Sequence, residues 1–235
     1  MRLTLFILFL MITGIASGEE DPVVIAMVEG LAEAPACRAV MSEAYSQLGI
    51  PIEFRMFSAA EALRNSNAGN VDAELQRIDG LSAKFENLVQ VPIPIYLIQG
   101  VAFSRKYRFP VAGWHSLRPY RIGIVKGIVF ALQNTADMDV QLYESYDDLV
   151  NALAGDEIDV AVMPRVQGLQ AVHARGAEDI TQMEGILETL FLYHYVHVKR
   201  ADLVDRLIPV LKKMLLSGET RRTKESFLAA ITEQP

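Results

Sequence analysis

The sequence predicts an α/β chain folded as two similar lobes, and three observations carry that prediction. First, a helix–glycine–strand unit occurs twice. Between Leu63 and Pro94 a helix ends at Gly69, and Val71 to Leu75 then reads as a short strand carrying Asp72 and Glu74, with Arg77 just past its end. Between Leu149 and Pro164 a helix ends at Ala154-Gly155, and a strand bearing Asp159 follows. Glycine takes the left-handed conformation that closes a helix without steric cost. Second, Val23 to Val28 is a continuous apolar run followed by a helix, as expected of a parallel strand covered on both faces. Third, Ile95 to Phe103 and Leu190 to Val198 are further apolar runs, placed where the chain has to cross between lobes.

Each element then follows in order. Glu29-Gly30 ends the first strand, and Pro35 to Leu48 reads as a helix closed by Gly49. Ile52, Phe54 and Met56 alternate with Glu53 and Arg55, the period-two pattern of a strand. Ser58 and Glu61 form a capping box, in which each side chain satisfies a free backbone N–H at a helix start. The first hundred residues thus run strand–helix–strand–helix–strand, a right-handed α/β lobe.

Arg121 to Val125 is the first strand of the second lobe, and Lys126-Gly127 turns into a helix of roughly two turns. Val140 to Tyr143 is a strand, and Ser145 caps a helix with Asp147 and Asp148 in its first turn, where negative charge suits the helix dipole. Asp159 to Met163 is a strand, Arg165 to Arg175 a helix, and Leu187 to Val198 a strand returning to the first lobe. Asp202 to Leu216 is an amphipathic helix with Leu203, Leu207, Val210, Leu211 and Met214 on one face, and a short charged helix follows Gly218.

The chain has 235 residues, of which 51% are hydrophobic, enough for one or two compact domains. Part of that hydrophobicity reads as a secretory signal peptide: Arg2, an apolar run from Leu3 to Ile12, and the small-residue tail Ala16-Ser17-Gly18, with cleavage expected after Gly18. The run is shorter than the ~20 residues that span a bilayer, so no stable membrane insertion is expected. Without Arg2, 21 basic residues stand against 29 acidic ones, a mature charge of −8. No basic cluster is present, which argues against nucleic-acid partners. Cys37 is the single cysteine and excludes an internal disulfide.

The residues also carry a resemblance. The order strand, Glu29-Gly30, helix, Pro51-Ile52-Glu53-Phe54, helix, Asn67 to Arg77, then Glu86 to Ile95 resembles the family 3 periplasmic solute-binding proteins, in a divergent branch. Tyr120 to Gly127 is similar to the family's opening of its second lobe, and Tyr193-His194-Tyr195 before Ala201 to Val204 is similar to its return strand and last helices. The sequence departs from the branch at Ser58, Glu61 and Ala73, and at Met163-Pro164, where many amino-acid binders carry an aspartate. The resemblance implies a two-lobed periplasmic-binding-protein-like (type II) fold, with residues 19–100 and 193–235 in lobe 1 and 101–192 in lobe 2. It also implies a monomeric periplasmic receptor for an amino acid or similar solute, serving an ABC importer.

Clefts between domains are where small ligands bind. Arg77 is the first candidate, because guanidinium fits a carboxylate with two parallel hydrogen bonds and the resemblance places a carboxylate-binding arginine near it; an ion pair with Asp72, Glu74 or Asp79 is the bland alternative. Lys126, Gly127 and Ile128 form the second, since free N–H groups at a helix start beside a cation suit an anion. Glu29 and Glu74 could accept from a ligand's amine or hydroxyls. Tyr96 and Trp114, with Tyr143 and Tyr146, could stack on it. His194 and His197 are three apart on a strand and point to opposite faces, so no metal site is expected. Gly123-x-x-x-Gly127 is not a dinucleotide fingerprint, and no cofactor is expected.

The sequence reading is therefore capture of a small, carboxylate-bearing solute without covalent chemistry. Two other classes remain open: a sensor passing its ligand state to a membrane signalling protein, and a dehydratase-type enzyme on the same scaffold.

Overall fold

The computed structural model describes residues 21–232. The expected signal peptide, residues 1–18, lies outside the described residues.

The chain begins with β1 (Val23–Val28), α1 (Ala34–Gln47), β2 (Ile52–Phe57), α2 (Ala59–Ala68) and β3 (Ala73–Ile78). β1 lies between β2 and β3 and is parallel to both. The long β4 (Leu88–Ser104) leads into β5 (Ile122–Val125), α3 (Val129–Asn134), β6 (Val140–Tyr143), α4 (Tyr146–Ala154), β7 (Val160–Pro164) and α5 (Arg165–Ala174). β5 lies between β6 and β7, again parallel to both. The order β2-β1-β3 in the first half is thus repeated as β6-β5-β7 in the second. After the short β8 (Thr181–Gln182), β9 (Glu188–His197) returns, and α6 (Asp202–Leu216) and α7 (Glu219–Thr232) follow.

The two halves are joined by two strands. β4 and β9 pair antiparallel along most of their length, from Leu88 opposite His197 to Gly100 opposite Glu188. β9 also pairs with β3, and β4 with β7, so the hydrogen-bond ladder runs unbroken from β2 to β6. It is the cores that divide. Val23, Met41, Tyr45, Leu75, Ile95, Leu203 and Leu207 belong to a cluster in the first half. Val101, Phe103, Leu149 and Met163 belong to one in the second, with Leu117, Ile122 and Ile124 in another beside it. The fold is α/β and two-lobed, with β4 and β9 as the crossings.

Local sequence explains most elements. Ser58 Oγ accepts from the Glu61 N–H while the Glu61 side chain returns to the Ser58 N–H, completing the capping box of α2. Gly69, at φ 77°, closes that helix. α6 continues through Pro209. An interior proline costs about 3 kcal/mol, but Leu203, Leu207, Leu211 and Met214 are buried on one face of that helix, at ~1.5–3 kcal/mol each. β3 begins two residues later than Val71 and extends past Arg77, so Arg77 lies within the strand rather than beyond it. α3 is a short helix of six residues.

Candidate functional site

In open α/β sheets, ligands collect at the carboxyl ends of the parallel strands. Here the ends of β1, β2 and β3 belong to one lobe and those of β5, β6 and β7 to the other. The turn after β1 and the helix start after β7 meet. Gln167 Nε2 donates to Glu33 Oε2 at 3.2 Å, a hydrogen bond between residues 134 positions apart.

A cavity of about 110 Å³ lies at this meeting point. Glu33 lines it from lobe 1, Arg165, Val166 and Gln167 from lobe 2, and Tyr96 to Gln99 from the crossing strand β4. That volume holds several waters, and it is small beside the ~300–1,000 Å³ of drug-sized ligand sites. It suits a solute of few heavy atoms.

Glu33 occupies the N-cap position of α1, but its side chain makes no capping hydrogen bond, which leaves the carboxyl for the cavity. The residue is 6% exposed. Burial pushes its carboxyl above the ordinary carboxylate range, against the backbone N–H and the Gln167 amide, which favour the charged form. Tyr96 is pushed up to about 12 by burial, with Cys37 and Glu33 adding to the effect. Tyr146 is pushed up to about 12 as well, by burial and then by Glu33, so the first residue of α4 also lies within electrostatic reach of this carboxyl.

On the opposite wall, Arg165, Val166 and Gln167 are the first turn of α5, a helix whose N-terminus no side chain caps. Its free N–H groups and the positive end of its dipole favour an anion. Arg165 Nε is buried with no hydrogen-bond partner. The guanidinium makes no ion pair with any described residue. A buried donor left without a partner costs about 1–3 kcal/mol, and an arginine without a carboxylate on the wall of a cavity is chemically an anion receptor.

The residues singled out in the sequence are dispersed. Tyr96 lines the cavity. Arg77 does not: its Nε donates to Glu74 Oε2 at 3.1 Å, and its Nη2 to Glu74 Oε1 at 3.4 Å and to the Ala59 carbonyl at 3.1 Å. Glu74 is 1% exposed and also accepts from Ser66 Oγ at 3.0 Å, so burial of the pair absorbs both side chains. Glu29 is exposed, with its backbone N–H on the Phe57 carbonyl.

Lys126 pairs with Glu144. The expected free N–H groups at Lys126 and Ile128 already donate, to Tyr143 O at 2.9 Å and Val125 O at 3.3 Å, while Gly127 makes the turn at φ 86°. Trp114 donates through Nε1 to Glu188 Oε2 at 3.3 Å and tilts against Phe130 in the second lobe. Tyr143 Oη donates to Gln141 Oε1. His194 is fully buried against Tyr45, and His197 Nδ1 accepts from the Lys199 N–H. Among the described residues no group of three or more His, Cys, Asp or Glu side chains could hold a metal ion.

Glu33, Gln99, Arg165 and Gln167 were missed. A signal for Arg165 existed: it stands two residues past the strand read from sequence over Asp159 to Met163, as Arg77 stands two past the one read over Val71 to Leu75, although in the structure only Arg165 lies beyond its strand. Glu33 is one acidic residue ahead of a helix, and nothing local distinguishes it.

No family profile matches the chain. An uncharacterised protein of Shewanella oneidensis is 27% identical over 202 residues, covering 83% of this chain and 76% of that protein. Among solved structures, the GluR0 ligand-binding core in complex with L-glutamate superposes with a TM-score of 0.71 at 11% identity, covering 90% of this chain and 100% of that one. A histidine kinase sensor domain similar to periplasmic binding proteins gives 0.64 at 16% identity, covering 89% and 97%. An ancestral arginine-binding protein bound to glutamine gives 0.60 at 13%, covering 88% and 97%. The fold is therefore that of periplasmic-binding-protein-like ligand-binding domains. Among the described residues no helix is long and apolar enough to cross a membrane.

Proposed function

We propose that this chain is a periplasmic solute-binding protein whose lobes shut on a small carboxylate-bearing solute, an amino acid or similar, for delivery to an ABC importer. One observation carries the reading: a guanidinium with no carboxylate partner, Arg165, at an uncapped helix start on the wall of an interlobe cavity. The fold supports it, since neighbours of this shape hold L-glutamate and glutamine. A solute touching both lobes favours the shut form because only that form contacts it twice. The role is capture without chemistry. Glu33 is the one carboxyl on the cavity wall that a dehydratase could use as an acid, and recovery of an unaltered ligand by NMR separates the two readings.

A thermal-shift screen of the purified protein against amino acids and organic acids tests capture, because a bound solute raises the melting temperature by mass action. Arg165→Ala is expected to abolish the shift while leaving the unliganded melt close to wild type. An undiminished shift in that variant overturns the reading.

A sensing role is the second reading, favoured by the likeness to a histidine kinase sensor domain. Pull-down of the liganded protein with membrane fractions distinguishes the two. A permease partner supports import, and a signalling kinase supports sensing.

A further inference from the structure

A second concavity lies between the crossing strands and the last two helices. It is a groove of about 440 Å³, larger than the interlobe cavity and within the ~300–1,000 Å³ of drug-sized ligand sites. Its lining includes Ile95 and Leu97 of β4, Phe191 of β9, Leu215 of α6, and Arg221 and Glu225 of α7. Phe191 and Leu215 are each 46% exposed, large apolar side chains that the fold leaves to water. Apolar surface of this kind, rimmed by polar groups, marks a place of contact.

The rim carries positive charge in a chain that is acidic as a whole. At the turn between α6 and α7, Arg222 Nη1 donates to the Ser217 carbonyl at 3.1 Å. Arg221 folds back over Gly218, its Nη2 3.2 Å from where a β-carbon on that residue would stand. Both guanidiniums are thus held beside Leu215. Lys212 stands three residues before Leu215 and shares its helix face. None of these three cations forms an ion pair with a described residue, although Glu219 and Glu225 stand nearby in sequence. In the sequence they lie on either side of the Ser217-Gly218 turn and do not read as a basic cluster.

We infer that this groove is a second ligand site, for a single-chain anionic amphiphile whose alkyl chain lies on Leu97, Phe191 and Leu215 and whose anionic head meets Arg221. Guanidinium suits a carboxylate or phosphate head, and a recess takes a chain that enters it. A second copy of the protein is a poorer occupant. A twofold pairing through this face would set Arg221 and Arg222 against their own counterparts. The site is separate from the capture reading and does not rest on it. Tyr96 lines both spaces, however, so the two are neighbours and the experiment has to tell them apart.

The experiment is isothermal titration calorimetry of the purified chain with octanoate, decanoate and decyltrimethylammonium, each below its micelle concentration. One decanoate is expected to bind per chain. It should bind roughly tenfold tighter than octanoate, the scale of two buried methylenes. It should also bind about tenfold tighter than the ammonium amphiphile, the scale of one charge-assisted hydrogen bond. Phe191→Asp is expected to weaken decanoate at least tenfold, and the double variant Arg221→Ala with Arg222→Ala to bring the two head groups within about threefold. All three positions are exposed, so an unliganded melt at the wild-type temperature shows that the variants fold. Arg165→Ala is expected to leave decanoate within about threefold of wild type. Loss of decanoate in Arg165→Ala places the amphiphile in the interlobe cavity and overturns the inference. So does absence of decanoate binding by wild type, or full binding by Phe191→Asp. Equal affinity for the two head groups in wild type overturns the anionic class. Two further results overturn the occupant. A wild-type dimer that Phe191→Asp dissociates assigns the groove to a second copy. Sedimentation with phosphatidylglycerol vesicles without binding of free decanoate assigns it to a bilayer surface.

Discussion

The Arg77 guanidinium holds the Glu74 carboxylate at both oxygens, Nε to Oε2 at 3.1 Å and Nη2 to Oε1 at 3.4 Å, within a single strand. Glu74 is 1% exposed and the Arg77 side chain 16%. Removing one partner of such a pair leaves a buried charge alone, which costs about 3–5 kcal/mol. Arg77→Ala is accordingly expected to lower unfolding stability by about 3 kcal/mol in urea titrations, at the low end of that range because the arginine keeps some solvent contact. Burial already pushes the Glu74 carboxyl up, so protonation relieves the unpaired residue. The deficit should shrink as pH falls toward the carboxylate range, and the double variant Arg77→Met with Glu74→Leu should recover most of it. A wild-type melt combined with lost ligand binding in Arg77→Ala would give Arg77 back the ligand role that its position in sequence suggests.

That pair also shows where sequence reading stops. Capping box, glycine stop and the apolar stripe of α6 depend on neighbours within a few positions, and all three were legible. So was the repeated strand–helix order, because it is a local pattern used twice. Whether an arginine near a strand end meets a ligand or a carboxylate depends on which way the strand turns it. Here β3 runs through Arg77 with a register shift between Glu74 and Arg77, and the two side chains find each other. The Glu33–Gln167 contact joins positions 134 apart, and no local pattern encodes it.

His194 predicts a pH response of its own. The Leu75 carbonyl can only accept, so the Nδ1 at 3.2 Å carries the proton, and Nε2 accepts from the Tyr45 hydroxyl at 3.0 Å. The ring is fully buried, and burial holds its pKa down to about 4. As pH falls, the unfolded chain takes up the proton first, near the ordinary 6.5. The contribution to stability is whole above about 6.5 and is lost between there and about 4, a total of about 3 kcal/mol. The raised carboxyls of Glu33 and Glu74 act in the opposite direction. The measurement is therefore the difference between wild type and His194→Gln across that window. A constant difference from pH 7 to pH 4 would exclude the histidine as its source.

Gly168 sits in the first half of α5, against the ring of Phe103. A β-carbon built there lies 2.4 Å from Cε2 and 2.6 Å from Cζ of that ring. Phe103 is fully buried, so the ring has little room to move. Gly168→Ala gains helix propensity, worth about 1 kcal/mol, but overpacking a core costs about 1–3 kcal/mol. A net loss of stability is expected, together with a shift of the helix start that carries Arg165. Weaker ligand binding with Arg165 unchanged in sequence is the signature to look for. A more stable variant with normal binding would show that the core yields there.

Gln167 bridges the lobes through Glu33 at 3.2 Å, so that hydrogen bond exists only while the lobes stand this close. Gln167→Ala removes the donor and leaves the buried carboxyl to the cavity. The shut arrangement should lose about 1 kcal/mol, the net worth of one such bond. A ligand that binds the shut form then meets a smaller competent fraction, and its apparent affinity falls by about fivefold. The intrinsic contacts of Arg165 are untouched, so the loss should appear mainly as slower association or as a larger radius of gyration of the unliganded protein in small-angle scattering. Truncating Glu33 as well should add nothing further to the unliganded radius, because the bond is already gone. An unliganded radius identical to wild type, with affinity unchanged, would mean that β4 and β9 set the interlobe distance without help from this contact.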